Sequence, residues 1–288
     1  MKKTIGLPLL AVGGGAAAFV LRLAQNHTGF EAETGLPVAG NLPALALIAL
    51  FVLLAAAGAV LVRTLPAETG EGPAFPADFS TEDPRLLMLP VMGGALMALS
   101  GLADFAGALG LRVGSGETYA VSADGVEIIA TSAFSRQLLL VMGLLCAVGA
   151  LGVLAGAVAC RRGGKNVPGT ALLVAPAALV VRLVLVYRAD SVNPALEAYY
   201  VDLLALAFLA LGFYRLSSFA FQGGRTRVFA LYTVLAAAFS FAAAADSGLT
   251  DIAATALYLG GALALVGFLA LRLQAPAGHA DHDSTLQP

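Results

Sequence analysis

The stretch that decides the fold is PALALIALFVLLAAAGAVLV, residues 43–62, which has no charged side chain in 20 residues. A helix that crosses the hydrocarbon core of a bilayer needs about 20 apolar residues. Seven further stretches meet this requirement, at 5–23, 86–108, 137–160, 169–187, 198–217, 228–245 and 252–272. We therefore predict an all-α integral membrane protein with eight transmembrane helices.

The composition excludes several other classes of protein. Of the 288 residues, 59% are hydrophobic and 12% are charged, whereas a soluble domain carries about 25% charged residues. A soluble enzyme, a disordered chain and a collagen-like chain are therefore excluded. The net charge is −2 and there is no basic block, so the expected partner is the lipid bilayer and not nucleic acid. The preference for Arg over Lys, with abundant Ala and Gly, is typical of a GC-rich prokaryotic genome and predicts a prokaryotic plasma membrane.

The distribution of Lys and Arg predicts the orientation, because short cytoplasmic loops are enriched in these residues. With the N-terminus inside, eleven lie on the cytoplasmic side: Lys2, Lys3, Arg63, Arg85, Arg161, Arg162, Lys165, Arg215, Arg225, Arg227 and Arg272. Five lie on the outer side: Arg22, Arg112, Arg136, Arg182 and Arg188. Both termini are therefore expected in the cytoplasm. The alternative is a signal peptide cleaved after about residue 18, which would leave seven spans.

Three segments outside the spans differ in character. Residues 63–85 form an acidic, Pro-rich cytoplasmic loop, which we expect to be a largely irregular linker. In the outer loop, residues 111–136, two β-prone runs flank Asp124-Gly125, a pattern typical of a small β-hairpin between the third and fourth helices. A disordered loop is the alternative there. Residues 274–288 are expected to form a disordered polar tail.

The order of polar residues indicates an internal duplication, with four helices in residues 1–163 and four in residues 164–273. Each half has an Arg in its first span, Asn or Asp at the start of its second, and Arg and Ala-Asp at the two ends of its third. These residues are Arg22, Asn41, Arg85 and Asp104 in the first half, and Arg182, Asp202, Arg227 and Asp246 in the second. Because each half has an even number of spans, we predict a parallel 4+4 repeat with a pseudo-two-fold axis along the membrane normal.

Ionisable groups inside the spans provide the candidate site, because each is unfavourable in hydrocarbon unless it is paired or functional. Five lie in the outer third of the predicted bilayer: Arg22, Asp104, Arg182, Asp202 and Asp246. Glu197 and Tyr200 lie beside them, three residues apart on a helix. One interpretation is structural. Arg182 would face the bundle interior and pair with at least one of Asp104, Asp202 and Asp246, with Asp202 or Asp246 as the first suggestion, and Arg22 would pair with Asp104. The other is a water-filled outer vestibule that binds a small polar solute.

No signature of catalysis, cofactor binding or metal binding is found in the sequence. His-Glu-x-x-His, Gly-x-Ser-x-Gly, Cys-x-x-Cys and a phosphate-binding Gly-Lys-Ser loop are all missing, so we predict neither an enzyme nor a resident cofactor or metal. Small residues such as Gly93-Gly94 and Gly260-Gly261 let helices approach closely. They suit either a compact bundle or an interface with a second copy or another membrane subunit.

The sequence is consistent with two functions. Eight spans, a repeat and a charged outer layer suit a small-solute transporter or permease-like protein. The lack of catalytic motifs and of large soluble loops suits a non-transporting membrane protein, such as an assembly factor, a sensor or a subunit of a complex. A polar cavity that reaches the middle of the membrane would favour transport, and solid packing of small residues would favour the second function.

The orientation can be tested by labelling cysteines introduced at Ser122 and at Gly164. We expect a membrane-impermeant thiol reagent to label the two positions from opposite sides of intact cells or vesicles, with Ser122 outside. The physical reason is the excess of Lys and Arg on the inner side. The protein without an added cysteine is the control, and labelling of both positions from one side would contradict the eight-span arrangement.

Overall fold

The structure, a computed structural model, describes residues 6–31, 37–65, 75–110, 118–121, 127–130, 136–161, 169–190, 196–221, 224–248 and 251–274. Within these residues, eight helices are long and apolar enough to cross a membrane, which confirms the predicted number of apolar helices and is compatible with a multi-pass membrane protein. They are α1 (Gly6–Thr28), α2 (Leu42–Arg63), α3 (Pro84–Ala108), α4 (Arg136–Ala159), α5 (Gly169–Asp190), α6 (Leu196–Ser218), α7 (Thr226–Ser247) and α8 (Ile252–Gln274).

Local sequence signals set several helix ends. The Asn41 side chain accepts a hydrogen bond from the backbone N–H of Ala44 at 3.1 Å and caps the start of α2. Asp83 caps α3 in the same way, by accepting from the N–H of Arg85 at 2.9 Å. Such caps satisfy backbone donors that have no partner inside the helix. After α7 the chain turns at Gly248, where φ is +55°, a conformation that glycine adopts readily.

Six of the helices form a closed ring, in which each helix from α3 to α8 packs against the next and α8 packs back against α3. The other two lie outside this ring, with α1 and α2 both against α7. As a result α7 and α8 are the most buried helices, whereas the outer faces of α1 and α2 carry exposed apolar side chains such as Leu9 and Leu42. The first two helices of the chain thus pack against a helix near its other end, α7.

Glycines allow the closest helix crossings. A Cβ added at Gly93 of α3 would lie 2.5 Å from the carbonyl oxygen of Gly260 and 2.7 Å from the Cα of Ala264, both on α8. A Cβ at Gly101 would lie 2.8 Å from the carbonyl oxygen of Gly143 on α4. Since real Cβ atoms do not approach backbone so closely, the missing side chains are what let α3 pack against both neighbours.

The prediction of an irregular linker between α2 and α3 is wrong for its second part. Residues 75–83 fold onto the bundle, with a 3₁₀ turn at Ala77–Phe79. Phe79 is completely buried, and its ring lies 5.1–6.3 Å from those of Phe219, Phe229 and Phe268. The reason is hydrophobic: burial of two phenylalanines outweighs the tendency of a Pro-rich acidic segment to stay in water. Residues 66–74 lie outside the described residues.

The loop between α3 and α4 contains two short strands, β1 (Thr118–Val121) and β2 (Glu127–Ala130), which pair antiparallel with Thr118 opposite Ala130. Residues 122–126, which connect them, lie outside the described residues, as does the predicted tail from residue 275 onward.

Replacing Gly93 with alanine tests the crossing of α3 and α8. We expect Gly93→Ala to lower the free energy of unfolding by about 1–3 kcal/mol, because the new methyl group overlaps the α8 backbone. Gly13→Ala is the matched control, since a Cβ at Gly13 meets no atom within 4 Å. Both can be measured in detergent with a thiol-reactive dye, because Cys146 and Cys160 are buried and free. Equal stability of the two variants would contradict the close crossing.

Candidate functional site

Arg182 of α5 and Asp104 of α3 form a buried ion pair inside the helix ring. The Arg182 Nη1 atom donates to Asp104 Oδ2 at 2.8 Å, and the two side chains are 9% and 5% exposed. This confirms that Arg182 faces the bundle and pairs with an acid, and among the three candidate acids the partner is Asp104. The pairing with Asp202 or Asp246 that the sequence first suggested is therefore wrong. Pairing in this place removes the large energy of a lone charge in hydrocarbon.

A second pair joins Arg22 of α1 to Asp246 of α7. The Arg22 Nε atom donates to both carboxylate oxygens of Asp246, at 2.7 and 3.0 Å. The guanidinium also donates through Nη1 to Gln25 Oε1 at 2.9 Å and lies 5.8 Å from the ring centre of Tyr200. Asn26 Nδ2 donates to the same carboxylate at 2.7 Å. The expected pairing of Arg22 with Asp104 is wrong, because Asp104 is bound to Arg182.

The two pairs are reciprocal with respect to the two sets of four helices. Arg22 is on the first helix of the first set and binds an acid on the third helix of the second set. Arg182 is on the first helix of the second set and binds an acid on the third helix of the first. Both pairs therefore join one set of helices to the other. We call the end of the bundle that holds them the ion-pair end.

The other candidate residues have different surroundings. Asp202, on α6, is half-buried and lies beside the buried hydroxyl of Tyr258 on α8, within hydrogen-bonding range. Glu197 is in the first turn of α6, where its side chain lies outside the described residues. Tyr200 contacts Arg22, as given above, and so belongs to the first pair. Among the described side chains, Tyr200 and Asp246 thus contact Arg22, whereas Asp104 binds Arg182 and Asp202 lies beside Tyr258.

Sequence reasoning missed three polar partners at this end. Gln25 and Asn26 follow Arg22 by three and four residues, the spacing that places side chains on one helix face, so a polar stripe on α1 was a usable signal. Tyr258 is near the start of α8 and is 3% exposed. Its signal was weaker, because a tyrosine at that position in a span resembles the interfacial aromatic belt.

The space next to Arg182 is small and mainly apolar. A cavity of about 10 Å³, enough for roughly one water molecule, is bounded by side chains of α3, α4, α5 and α8: Met97, Met142, Cys146, Leu179, Arg182 and Leu257. The Cys146 thiol contacts the carbonyl oxygen of Met97 at 3.2 Å. Such a cavity suits a hydration water on the Arg182 guanidinium and is too small for a solute. Within the described residues, no group of three or more His, Cys, Asp or Glu could hold a metal ion.

The opposite end of the bundle is closed by the docked segment 75–83, and we call it the Phe79 end. Arg272 of α8 contacts Asp78 at 3.2 Å, donates to Thr226 Oγ1 at 2.9 Å, and lies 5.8 Å from the Phe219 ring centre. The backbone N–H of Phe75 donates to the carbonyl oxygen of Phe219 at 3.0 Å. Contacts between the two sets of helices are therefore present at both ends.

No protein-family model, curated protein or solved structure matches the chain.

Single and double substitutions test whether the Arg182–Asp104 pair is structural. We expect Arg182→Met to lower the free energy of unfolding by roughly 3–5 kcal/mol, because it leaves the Asp104 carboxylate buried without its counter-charge. The double variant Arg182→Met with Asp104→Leu removes both charges, and we expect it to recover most of that loss.

The measurement is thermal unfolding in detergent, with Arg85→Met as the matched control because Arg85 is exposed at the start of α3. A double variant as unstable as the single variant would contradict the structural role of the pair.

Proposed function

We propose that this multi-pass membrane protein is a non-transporting component of the membrane, a structural or sensor subunit that presents its helices to a partner in the bilayer. The observation that carries the proposal is the tight packing beside Arg182, inside the helix ring. Where a solute pathway would pass, the described residues leave a cavity the size of about one water molecule. The buried faces of α7 and α8 are formed mainly by alanine, glycine and leucine, and α7 also buries Thr226, Thr233 and Ser240.

Arg22 and Arg182 fit this proposal, because the charge of each is already paired with that of an aspartate. Arg22 and Arg182 are 1% and 8% exposed, and each is bound to a carboxylate of the other helix set. An arginine that recognises a solute must have donors available to it. These arginines instead hold helices together. No residue is assigned a catalytic role.

The proposed organisation is a parallel 4+4 repeat in a prokaryotic plasma membrane, with both termini in the cytoplasm. The reciprocal ion pairs support the repeat, since an exchange of the two sets would carry one pair onto the other. The excess of Lys and Arg supports the orientation, in which the ion-pair end and the loop of β1 and β2 would lie outside.

The second candidate is a small-solute transporter in an occluded state, and one observation favours it. Contacts between the two helix sets lie at both ends of the bundle: ion pairs at one end, and Phe79 with the Asp78–Arg272 contact at the other. Transporters built from two repeats work by moving one repeat against the other. Breaking one set of contacts at a time would open each side in turn.

Reconstitution into liposomes separates the two candidates. We expect the wild-type protein to give no uptake above empty liposomes from a broad mixture of small metabolites and ions, because the cavity beside Arg182 has room for only about one water molecule. We also expect the chain in native membranes to be cross-linked into discrete species of higher mass, because a subunit needs a partner. The stable double variant Arg182→Met with Asp104→Leu is the matched control.

Saturable uptake by wild type that is lost in the double variant would overturn the non-transporting proposal and establish a transporter. Uptake that is equal in both would also overturn it, and would place the solute pathway away from the Arg182 pair. A chain that is monomeric in native membranes, with no cross-linked species, would contradict the role as a subunit.

A further inference from the structure

A continuous series of aromatic rings crosses the bundle on the side of α7 that faces α2 and α6. The Phe51 ring of α2 stacks on Phe239 of α7 with 4.0 Å between ring centres, and Phe239 stacks on Phe208 of α6 at 5.2 Å. Phe208 also lies 6.4 Å from the ring of Tyr232. These rings bridge α2 and α6 across α7 and form an apolar wall between the two helices.

The series of rings leads to Arg215 in the last turn of α6. Arg215 follows Phe208 by seven residues, and Tyr232 precedes Phe239 by seven. Each interval is two helical turns, or about 10.5 Å, toward the Phe79 end. The Arg215 guanidinium lies 5.7 Å from the ring centre of Tyr214 and 6.0 Å from that of Tyr232. Tyr214 and Tyr232 therefore hold the Arg215 guanidinium where the aromatic wall ends, toward the Phe79 end.

Arg215 differs in its partners from the other buried or half-buried arginines that the structure describes, which are Arg22, Arg182, Arg227 and Arg272. Its Nε atom is buried and has no hydrogen-bond acceptor among the described residues. In contrast, Arg22, Arg182 and Arg272 each contact an aspartate, and Arg227 donates to the carbonyl oxygen of Leu65 through Nε at 3.0 Å. A buried donor without an acceptor is unfavourable, so the position suits an acceptor from outside the chain.

The charge around this position is positive. Among the described residues, the Phe79 end carries Arg63, Arg85, Arg161, Arg215, Arg225, Arg227 and Arg272 against Asp78, Glu82 and Asp83. Contacts between these helix ends and the docked segment place them at one end of the bundle, and Arg272 already holds Asp78. Arg63 at the end of α2 and Arg225 just before α7 are both exposed. Arg63 ends α2, which flanks α7, and Arg225 directly precedes α7, which carries Tyr232, so both add positive charge to this end of the bundle.

The face of α6 that leads to Arg215 is apolar and exposed. Leu204, Phe208, Leu211 and Arg215 follow one another at intervals of four, three and four residues, which places them on one side of the helix. Leu204 and Leu211 are 37% and 38% exposed, and Tyr214 beside them is 52% exposed. This face offers an apolar strip of about three turns that ends in a cation.

We propose that the face of α6 with Arg215 binds an anionic phospholipid, with an acyl chain along Leu204, Phe208 and Leu211 and the phosphate on the Arg215 guanidinium. A guanidinium between aromatic rings presents a planar donor edge that matches two phosphate oxygens. Arg63 and Arg225 contribute longer-range attraction to the same headgroup. The apolar strip is the reason to assign a lipid and not a free phosphate, because free phosphate gains nothing from it.

Lipid binding to the purified full-length protein tests the assignment. The protein in neutral detergent is titrated with phosphatidylglycerol, with phosphatidylcholine of the same acyl chains, or with inorganic phosphate. Binding is followed by native mass spectrometry and by thermal unfolding reported by Cys146 and Cys160. We expect phosphatidylglycerol to bind and stabilise the wild type more than phosphatidylcholine does, and inorganic phosphate to have no effect.

Variants of the site make the test specific. We expect Arg215→Gln to weaken phosphatidylglycerol binding about fivefold, the effect of one cation near an anionic headgroup, and Arg215→Lys to retain part of the binding. Arg85→Gln removes an exposed arginine from the same end and is expected to change the affinity by less than twofold. Tyr214→Leu keeps every charge but removes one ring face, so it should also weaken binding, and it serves if Arg215→Gln does not fold.

Three outcomes would overturn the proposal. The first is equal phosphatidylglycerol affinity in the wild type, Arg215→Gln and Tyr214→Leu. The second is an equal loss in Arg85→Gln and Arg215→Gln, which would indicate a general attraction to the basic end. The third is stabilisation by inorganic phosphate as large as that by phosphatidylglycerol, which would indicate a site for a free anion.

Discussion

An arginine inside hydrocarbon must have a counter-charge, and this requirement organises the ion-pair end of the bundle. Arg22 and Arg182 lie within apolar helices, where an unpaired guanidinium would be unfavourable by several kcal/mol. Each meets the requirement with an aspartate from a helix distant in the chain, α7 for Arg22 and α3 for Arg182. The pairs therefore act as two fixed points that determine which helices of the first set adjoin which helices of the second.

The position of α3 also depends on a constraint of the membrane interior, here on the close packing of apolar helices. Water does not drive helices together inside a membrane, so association depends on close contact and on hydrogen bonds. Gly93 and Gly101 remove the side chains that would separate α3 from α8 and α4. The short distance between these backbones brings Asp104, three residues beyond Gly101, into the ring where it reaches Arg182. Small residues and buried charges thus depend on one another.

At the Phe79 end the chain uses hydrophobic burial in place of charge pairing. The segment 75–83 is polar, and several prolines and acidic residues lie in and next to it, a composition that is typical of a linker. Its two phenylalanines nevertheless pack among Phe219, Phe229 and Phe268, and Asp78 meets Arg272. The preference of a segment for water is an average over its residues, whereas docking depends on a few large side chains that find a pocket. The pocket is formed by α6, α7 and α8. The sequence of the loop alone therefore does not predict that the loop docks there.

The eight helices were predictable because a transmembrane helix is a local feature: a sufficient run of apolar residues must satisfy its own backbone hydrogen bonds in the membrane. The need of Arg182 for a buried acid was predictable for the same reason, since the depth of a charge can be read from its place in a span. Which acid it would be was not predictable. Asp104, Asp202 and Asp246 lie at similar depths, and only the packing of helices distributes them, giving Asp104 to Arg182, Asp246 to Arg22, and Asp202 to the vicinity of Tyr258. The sequence thus determines how deep each charge lies, and the tertiary structure decides its partner, because depth depends on neighbours along the chain and pairing on neighbours across the bundle.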